Sequence, residues 1–123
     1  MPKAFIEDTF ASVWIEEDIL FVRYKQGVIL SGDVAQKVFK CAVELTEGKP
    51  YPLLIDMSGV VRMEKEARDF FARERRKIVL KTAFLATTRV SKAICEFYAS
   101  VNIIKDTTQV FPDVKQAVQY LKQ

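Results

Sequence analysis

The run Tyr51-Pro52-Leu53-Leu54-Ile55, broken at Asp56-Met57-Ser58-Gly59, most restricts the folds open to this chain. Charged residues at helical spacing follow from Glu64 onward. An apolar run bounded by turn formers suits a buried central strand. A strand of that kind, passing through a tight loop into a helix, belongs to a sheet with crossover helices. In such sheets, ligands and partners dock beyond the carboxyl ends of the strands. The stretch from Tyr51 to Phe71 therefore points both to the fold class and to the edge where function would lie.

The rest of the chain reads around this stretch. Residues 1–8 look like a loosely held start. Aromatic and β-branched residues dominate from Thr9 to Tyr24, interrupted by Glu16-Glu17-Asp18, which reads as a β-hairpin. Both faces of the hairpin carry apolar side chains, so one face meets the core and the other needs a helix or a partner. Gly27 ends or bulges the second strand, and Val28-Ile29-Leu30 extends it. Ser31-Gly32-Asp33 starts a helix, with Asp33 and Gln36 spaced as a capping box. Val34, Val38, Cys41, Ala42 and Leu45 then recur at helical spacing, and Gly48 and Pro50 end the helix.

A second helix spans roughly Glu64 to Lys77, with Ala67, Phe70, Phe71 and Ile78 facing inward. Glu64–Arg68 and Asp69–Arg73 are spaced to pair on its outer face, each worth about 0.2–0.5 kcal/mol. Arg73, Arg75, Arg76 and Lys77 crowd its carboxyl end, where positive charge suits the helix dipole. Lys81–Ala86 is a second interior strand. Thr87 or Thr88 caps a third helix carrying Val90, Ala93, Ile94, Phe97, Tyr98 and Val101 on its inner side. A short strand at Thr108–Phe111 precedes a last helix capped by Asp113, which buries Val114, Ala117, Val118 and Leu121. The order β-β-α-β-α-β-α-β-α predicts an α/β fold with a mixed sheet whose later strands run parallel.

Composition narrows the function. A length of 123 residues suits one domain, 1–123, able to bury a core without metals or disulfides. The 19 basic and 16 acidic residues are interspersed along the chain, which argues against nucleic acid as a partner. With no histidine, Ser-His-Asp and Cys-His centres are excluded, and the separated Cys41 and Cys95 cannot close a zinc site. No Gly-rich phosphate cradle appears. No catalytic residue, cofactor or metal is therefore expected. Neither a signal-peptide pattern nor a run of ~20 apolar residues is present, so a cytoplasmic protein without a transmembrane segment is expected.

The element order resembles the anti-sigma-factor antagonist domain, called STAS, and its SpoIIAA-like relatives. The local match is Leu53-Leu54-Ile55-Asp56-Met57-Ser58-Gly59-Val60, followed by Met63 before a helix. The family has an apolar strand, Asp-Leu-Ser, a short connector, and Met-Asp-Ser-Ser-Gly opening the helix. With Met63 aligned, Glu64 stands at the family's Asp, Lys65 at the phosphorylated serine, Glu66 at the second serine and Ala67 at the glycine. A lysine amine accepts no phosphoryl group from a serine kinase. The resemblance thus implies a regulatory, protein-interaction domain without the serine-phosphorylation switch.

Each candidate residue has a plain reading beside its functional one. Asp56 can orient a partner, or hold the loop by accepting backbone N–H bonds. Ser58-Gly59 can be a modification site, or turn chemistry with glycine at an unusual backbone angle. Lys65 and Arg68 can bind an anion at a helix start, or form a solvated face diluted by Glu64 and Glu66. Asp56, Ser58, Gly59, Met63, Glu64, Lys65 and Arg68 form the candidate partner-binding surface. The hairpin's second apolar face suits a homodimer. The alternative function is a small-molecule or lipid-binding module, with Tyr24, Phe97 and Tyr98 lining a pocket under the third helix.

Overall fold

Phe5 lies beside Trp14 and Trp14 beside Phe21, with ring centroids 6.2 and 5.1 Å apart. These contacts tie together three antiparallel strands, β1 (Ala4–Glu7), β2 (Ala11–Glu16) and β3 (Ile19–Tyr24). The computed structural model describes residues 4–74, 77, 79–102 and 108–123. The loosely held start expected for residues 1–8 is therefore corrected over 4–7, where Phe5 gains an aromatic cross-strand neighbour. Glu17 and Asp18 make the hairpin turn, both at positive φ (52° and 61°), which a tight two-residue turn demands.

The chain leaves the sheet after Tyr24. Gly27, at φ 84°, turns it into β4 (Val28–Leu30). This segment does not extend β3, as the sequence suggested. It pairs in parallel with β6 (Val60–Met63) as a separate two-stranded sheet. Between them run α1 (Gly32–Thr46) and β5 (Tyr51–Asp56). Ser31 caps α1, its hydroxyl accepting from Val34 N at 3.2 Å, whereas Asp33 lies inside the first turn. The cap expected at Asp33 thus lies two residues earlier, at Ser31, and with Val34 opposite it no capping box forms.

After β6 come α2 (Lys65–Glu74), β7 (Val79–Leu85), α3 (Arg89–Asn102), β8 (Thr108–Phe111) and α4 (Val114–Leu121). Arg75, Arg76, Ile78 and the side chain of Val101 lie outside the described residues. The main sheet has the order β1-β2-β3-β5-β7-β8, with β5 between β3 and β7 as a central strand, parallel to both. The mixed α/β fold expected from the element order is the one observed, with β1, β4 and β6 added to it.

Successive right-handed crossovers in one direction place α1, α2 and α3 on one face of the sheet. Their core gathers Val13, Leu20, Val22, Leu53, Ile55 and Phe84 with Val34, Val38, Ala67, Cys95 and Tyr98. The opposite face holds a smaller core, in which Ala117, Tyr120 and Leu121 of α4 close over Ile19, Leu54, Ala83 and Leu85. Asp113 caps α4 as expected, accepting from Gln116 N at 2.9 Å.

The inner face of α3 departs from the expectation. Among the described side chains of α3, Ser91, Cys95 and Tyr98 are buried against the sheet, while Val90, Ala93 and Phe97 face outward. Ser91 can be fully buried because its Oγ accepts from Thr88 N at 3.1 Å while Thr88 Oγ1 accepts from Ser91 N at 3.0 Å. In α4, likewise, Tyr120 is buried where Val114 was expected, and Val114 is exposed.

Candidate functional site

The loop after β5 is organised by main-chain bonds. Asp56 ends the strand opposite Arg23, and its carboxylate accepts from Ser58 N at 3.0 Å. It also faces Arg23 Nε at 3.4 Å. This is the loop-holding habit of aspartate in turns. Met57 N bonds to Leu85 O and Val60 N to Met57 O, each at 2.9 Å, so the bend closes on itself. The Ser58 hydroxyl accepts from Thr87 Oγ1 at 2.7 Å, linking this loop to the start of α3.

Gly59 is required by packing rather than by backbone angle. It is absent from the positive-φ glycines, which are Gly27 and Gly48. A Cβ at position 59 would overlap the carbonyl of Lys25 and lie 2.7 Å from that of Tyr24. Its own carbonyl accepts from Gly27 N at 2.8 Å and Val28 N at 3.1 Å. The loop and the β3–β4 turn are therefore stitched together, backbone to backbone.

From Met63 onward the surface changes character. Glu64 N bonds to Leu30 O, and Glu64 O accepts from Ala67 N and Arg68 N to open α2. Lys65 is exposed and bonds to Asp69 at 2.7 Å, holding the Asp69 carboxyl below its usual range. Among the described residues Arg68 pairs with no carboxylate; it lies over Phe97 of α3, its guanidinium carbon 4.9 Å from the ring centre. The expected Glu64–Arg68 and Asp69–Arg73 pairs are thus replaced by Lys65–Asp69 and by Arg73–Glu74 at 3.8 Å. Lys77 also reaches Glu74, at 3.1 Å, so the described part of the basic cluster is paired.

Met63, Arg68, Ala93, Ile94 and Phe97 line a shallow apolar groove of about 220 Å³ between β6, α2 and α3. Val61 and Val90, 50% and 53% exposed, extend it along β6 and along the same face of α3. The candidate residues therefore divide. Met63 and Arg68 share this groove, Ser58 and Gly59 brace the loop behind it, and Asp56 looks the other way. Asp56 borders a second groove of about 240 Å³ with Trp14, Phe21, Arg23, Val114 and Val118, beside α4. Sequence reading missed the outward Val90–Phe97 stripe because its apolar spacing was assigned to the core. It also missed Trp14 and Arg23, whose only signal was the hairpin's second apolar face.

The aromatics of the alternative pocket do not converge. Tyr24 and Tyr98 are packed in the main core and Phe97 is half-exposed. The cavity that Tyr98 borders, with Leu53, Ile55, Phe71, Thr82, Phe84 and Thr108, holds about 20 Å³, room for a single water. Burial pushes the Cys95 thiol up to about 12 and raises that of Cys41 as well, so neither is a thiolate near neutral pH. Among the described residues, no three or more His, Cys, Asp or Glu gather to hold a metal. No helix among them is long and apolar enough to cross a membrane.

Three crossover helices on one face, a single helix on the other and a mixed six-stranded sheet define the fold class. It is similar to the solved structure of an uncharacterized protein from the DUF3478 family, with a SpoIIAA-like fold, from Shewanella loihica PV-4. The TM-score is 0.64 at 12% identity, covering 96% of this chain and 99% of that one. The fold is therefore SpoIIAA-like, as the element order suggested. Residues 13–123 match the family model described as Domain of unknown function (DUF7793), and the chain belongs to that family. No curated protein sequence matches it.

Proposed function

We propose that this chain is a non-enzymatic, STAS-like regulatory domain of the cytoplasm. It binds a protein partner through the β6–α2 segment and the outer stripe of α3, and it self-associates. The groove between Met63, Arg68 and Phe97 supports this most directly. An apolar floor with an arginine laid along an aromatic wall suits the apolar or aromatic anchor residues that dominate protein interfaces. The loop behind it, braced by Gly59 and Ser58, presents the groove on a fixed frame. Serine phosphorylation does not govern the binding in this reading, since exposed Lys65 stands where the resembling family carries its phosphorylated serine. No observation favours the small-molecule or lipid alternative.

The test is capture of partners by the wild-type chain, by Lys65→Glu/Arg68→Glu and by Phe97→Asp. Lys65 and Phe97 are exposed and Arg68 is partly buried at the surface, so thermal unfolding should change little. Both variants should lose the specifically captured protein. Retention of every partner by two folded variants would show that the groove is not the contact surface.

A further inference from the structure

The second core covers only half of its face. Across the sheet, Phe5, Trp14, Phe21, Leu54 and Ala83 fall in one register row. Leucine and alanine lie where α4 closes over the sheet, Phe21 packs against the edge of that core, and Trp14 and Phe5 lie beyond it, where no described helix covers the sheet. Phe5 is 52% exposed, and Trp14 and Phe21 are half-buried. Glu7, Ser12, Arg23 and Asp56 make the next row on the same face, with Asp56 3.4 Å from Arg23 Nε. Glu7 bonds to Ser12 at 2.8 Å and to Lys25 at 2.7 Å, and Arg23 lies 5.1 Å from the centre of the Trp14 ring. The patch thus has an aromatic centre and a rim bearing both signs of charge, with Glu7 on β1 and Arg23 on β3.

We propose that this face binds a second copy of the same chain, sheet to sheet, about a twofold axis running along β2. This gives a surface to the self-association proposed above and is independent of the α3 groove, which lies on the far side of the sheet. With the strands of the two sheets aligned, two in-plane axes pair the patch with itself. An axis along the aromatic row would bring α4 over α4, and two helices of about 10 Å diameter cannot share the ~10 Å between packed sheets. The axis along β2 instead exchanges β1 and β3. It sets Trp14 against its counterpart, Phe5 against Phe21, and Glu7 against Arg23 in both halves. Each α4, two to three strands from β2, then falls roughly 10–14 Å beyond it on the other copy, outside β1, where it covers that strand's open edge. Nucleic acid and anionic lipid are the poorer occupants, since Glu7, Glu16, Glu17 and Asp18 ring the patch.

Sedimentation from about 1 to 200 µM, read together with the fluorescence of the single tryptophan, tests the proposal. A dimer should form with a blue shift of Trp14 emission and protection from iodide. Glu7→Arg and Arg23→Glu should each weaken it at least tenfold, and the double charge swap should bind at least threefold more tightly than either single variant, short of wild type because Lys25 and Asp56 then face like charge. A monomer throughout, a dimer whose Trp14 remains as quenchable as in the monomer, or a double variant weaker than either single one would overturn it. A protected Trp14 in a monomer would assign the face to some other occupant and overturn it too. Thermal unfolding of each variant separates lost association from lost fold. Partner capture in the same samples should be unchanged, so failure here and failure of the α3 groove are told apart.

Discussion

The two faces of the central sheet are closed to different extents. Under α1, α2 and α3 the side chains of every main-sheet strand from β2 to β7 meet a helix, and Val13, Leu20 and Val22 are almost wholly buried. On the other face α4 covers β5, β7 and the start of β3 at Ile19, and leaves β1 and β2 open. Parallel strands such as β5 and β7 must be covered on both sides, whereas an antiparallel hairpin can leave one side open. The hairpin nevertheless carries aromatics on its open side. That difference separates what the fold needs from what it presents to other molecules.

Substitutions at matched positions sharpen the contrast. Leu20→Ala, on the closed face, should cost about 3 kcal/mol in a urea titration, the usual cost of a buried leucine with its cavity. Enlarging Ala83 beneath α4 to leucine should cost about 1–3 kcal/mol through overpacking. Phe5→Ser, at the open end of the same register row, should cost the monomer about 0.5–1.5 kcal/mol, chiefly its ring contact with Trp14. If Phe5→Ser proves as costly as Leu20→Ala when measured on the monomer, the open face is part of the core and the contrast fails.

The smallest effect is electrostatic. Hydrogen bonding and charge from Lys25 and Lys65 lower the carboxyls of Glu7 and Asp69 from 4.5 and 3.8. Groups whose folded pKa is depressed stabilise the fold above those values, and the contribution is lost as pH falls through the lower folded pKa. Lys25→Ala should flatten the acid limb of the stability profile slightly, and Lys65→Ala should do the same. Both carboxylates are open to solvent, so the change should shrink further in salt.

Most of the fold was legible because local signals agreed with one another. The apolar run 51–55, the Glu16-Glu17-Asp18 turn, the Asp113 cap and the strand–helix alternation all pointed to the same sheet. What was hidden depended on distant partners. β1 is four residues long and is recognisable only beside Trp14. β4 and β6 pair only because Gly59 brings their starting points together. On α3, an apolar count chose Val90, Ala93 and Phe97 for the core, because a serine that satisfies its hydroxyl within its own cap does not look like a core residue. The candidate site was legible at Met63 and Arg68, but its other wall was hidden by the same miscount.

Gly59 has a consequence for how such a surface can change. Its carbonyl clasps two amides of the neighbouring turn, and its missing side chain lets two backbones touch. The contour of the bend is thus a property of the main chain. Residues at 61, 62 and 65 can be exchanged without redrawing it, so under the proposed function the partner could be altered while the mould keeps its shape.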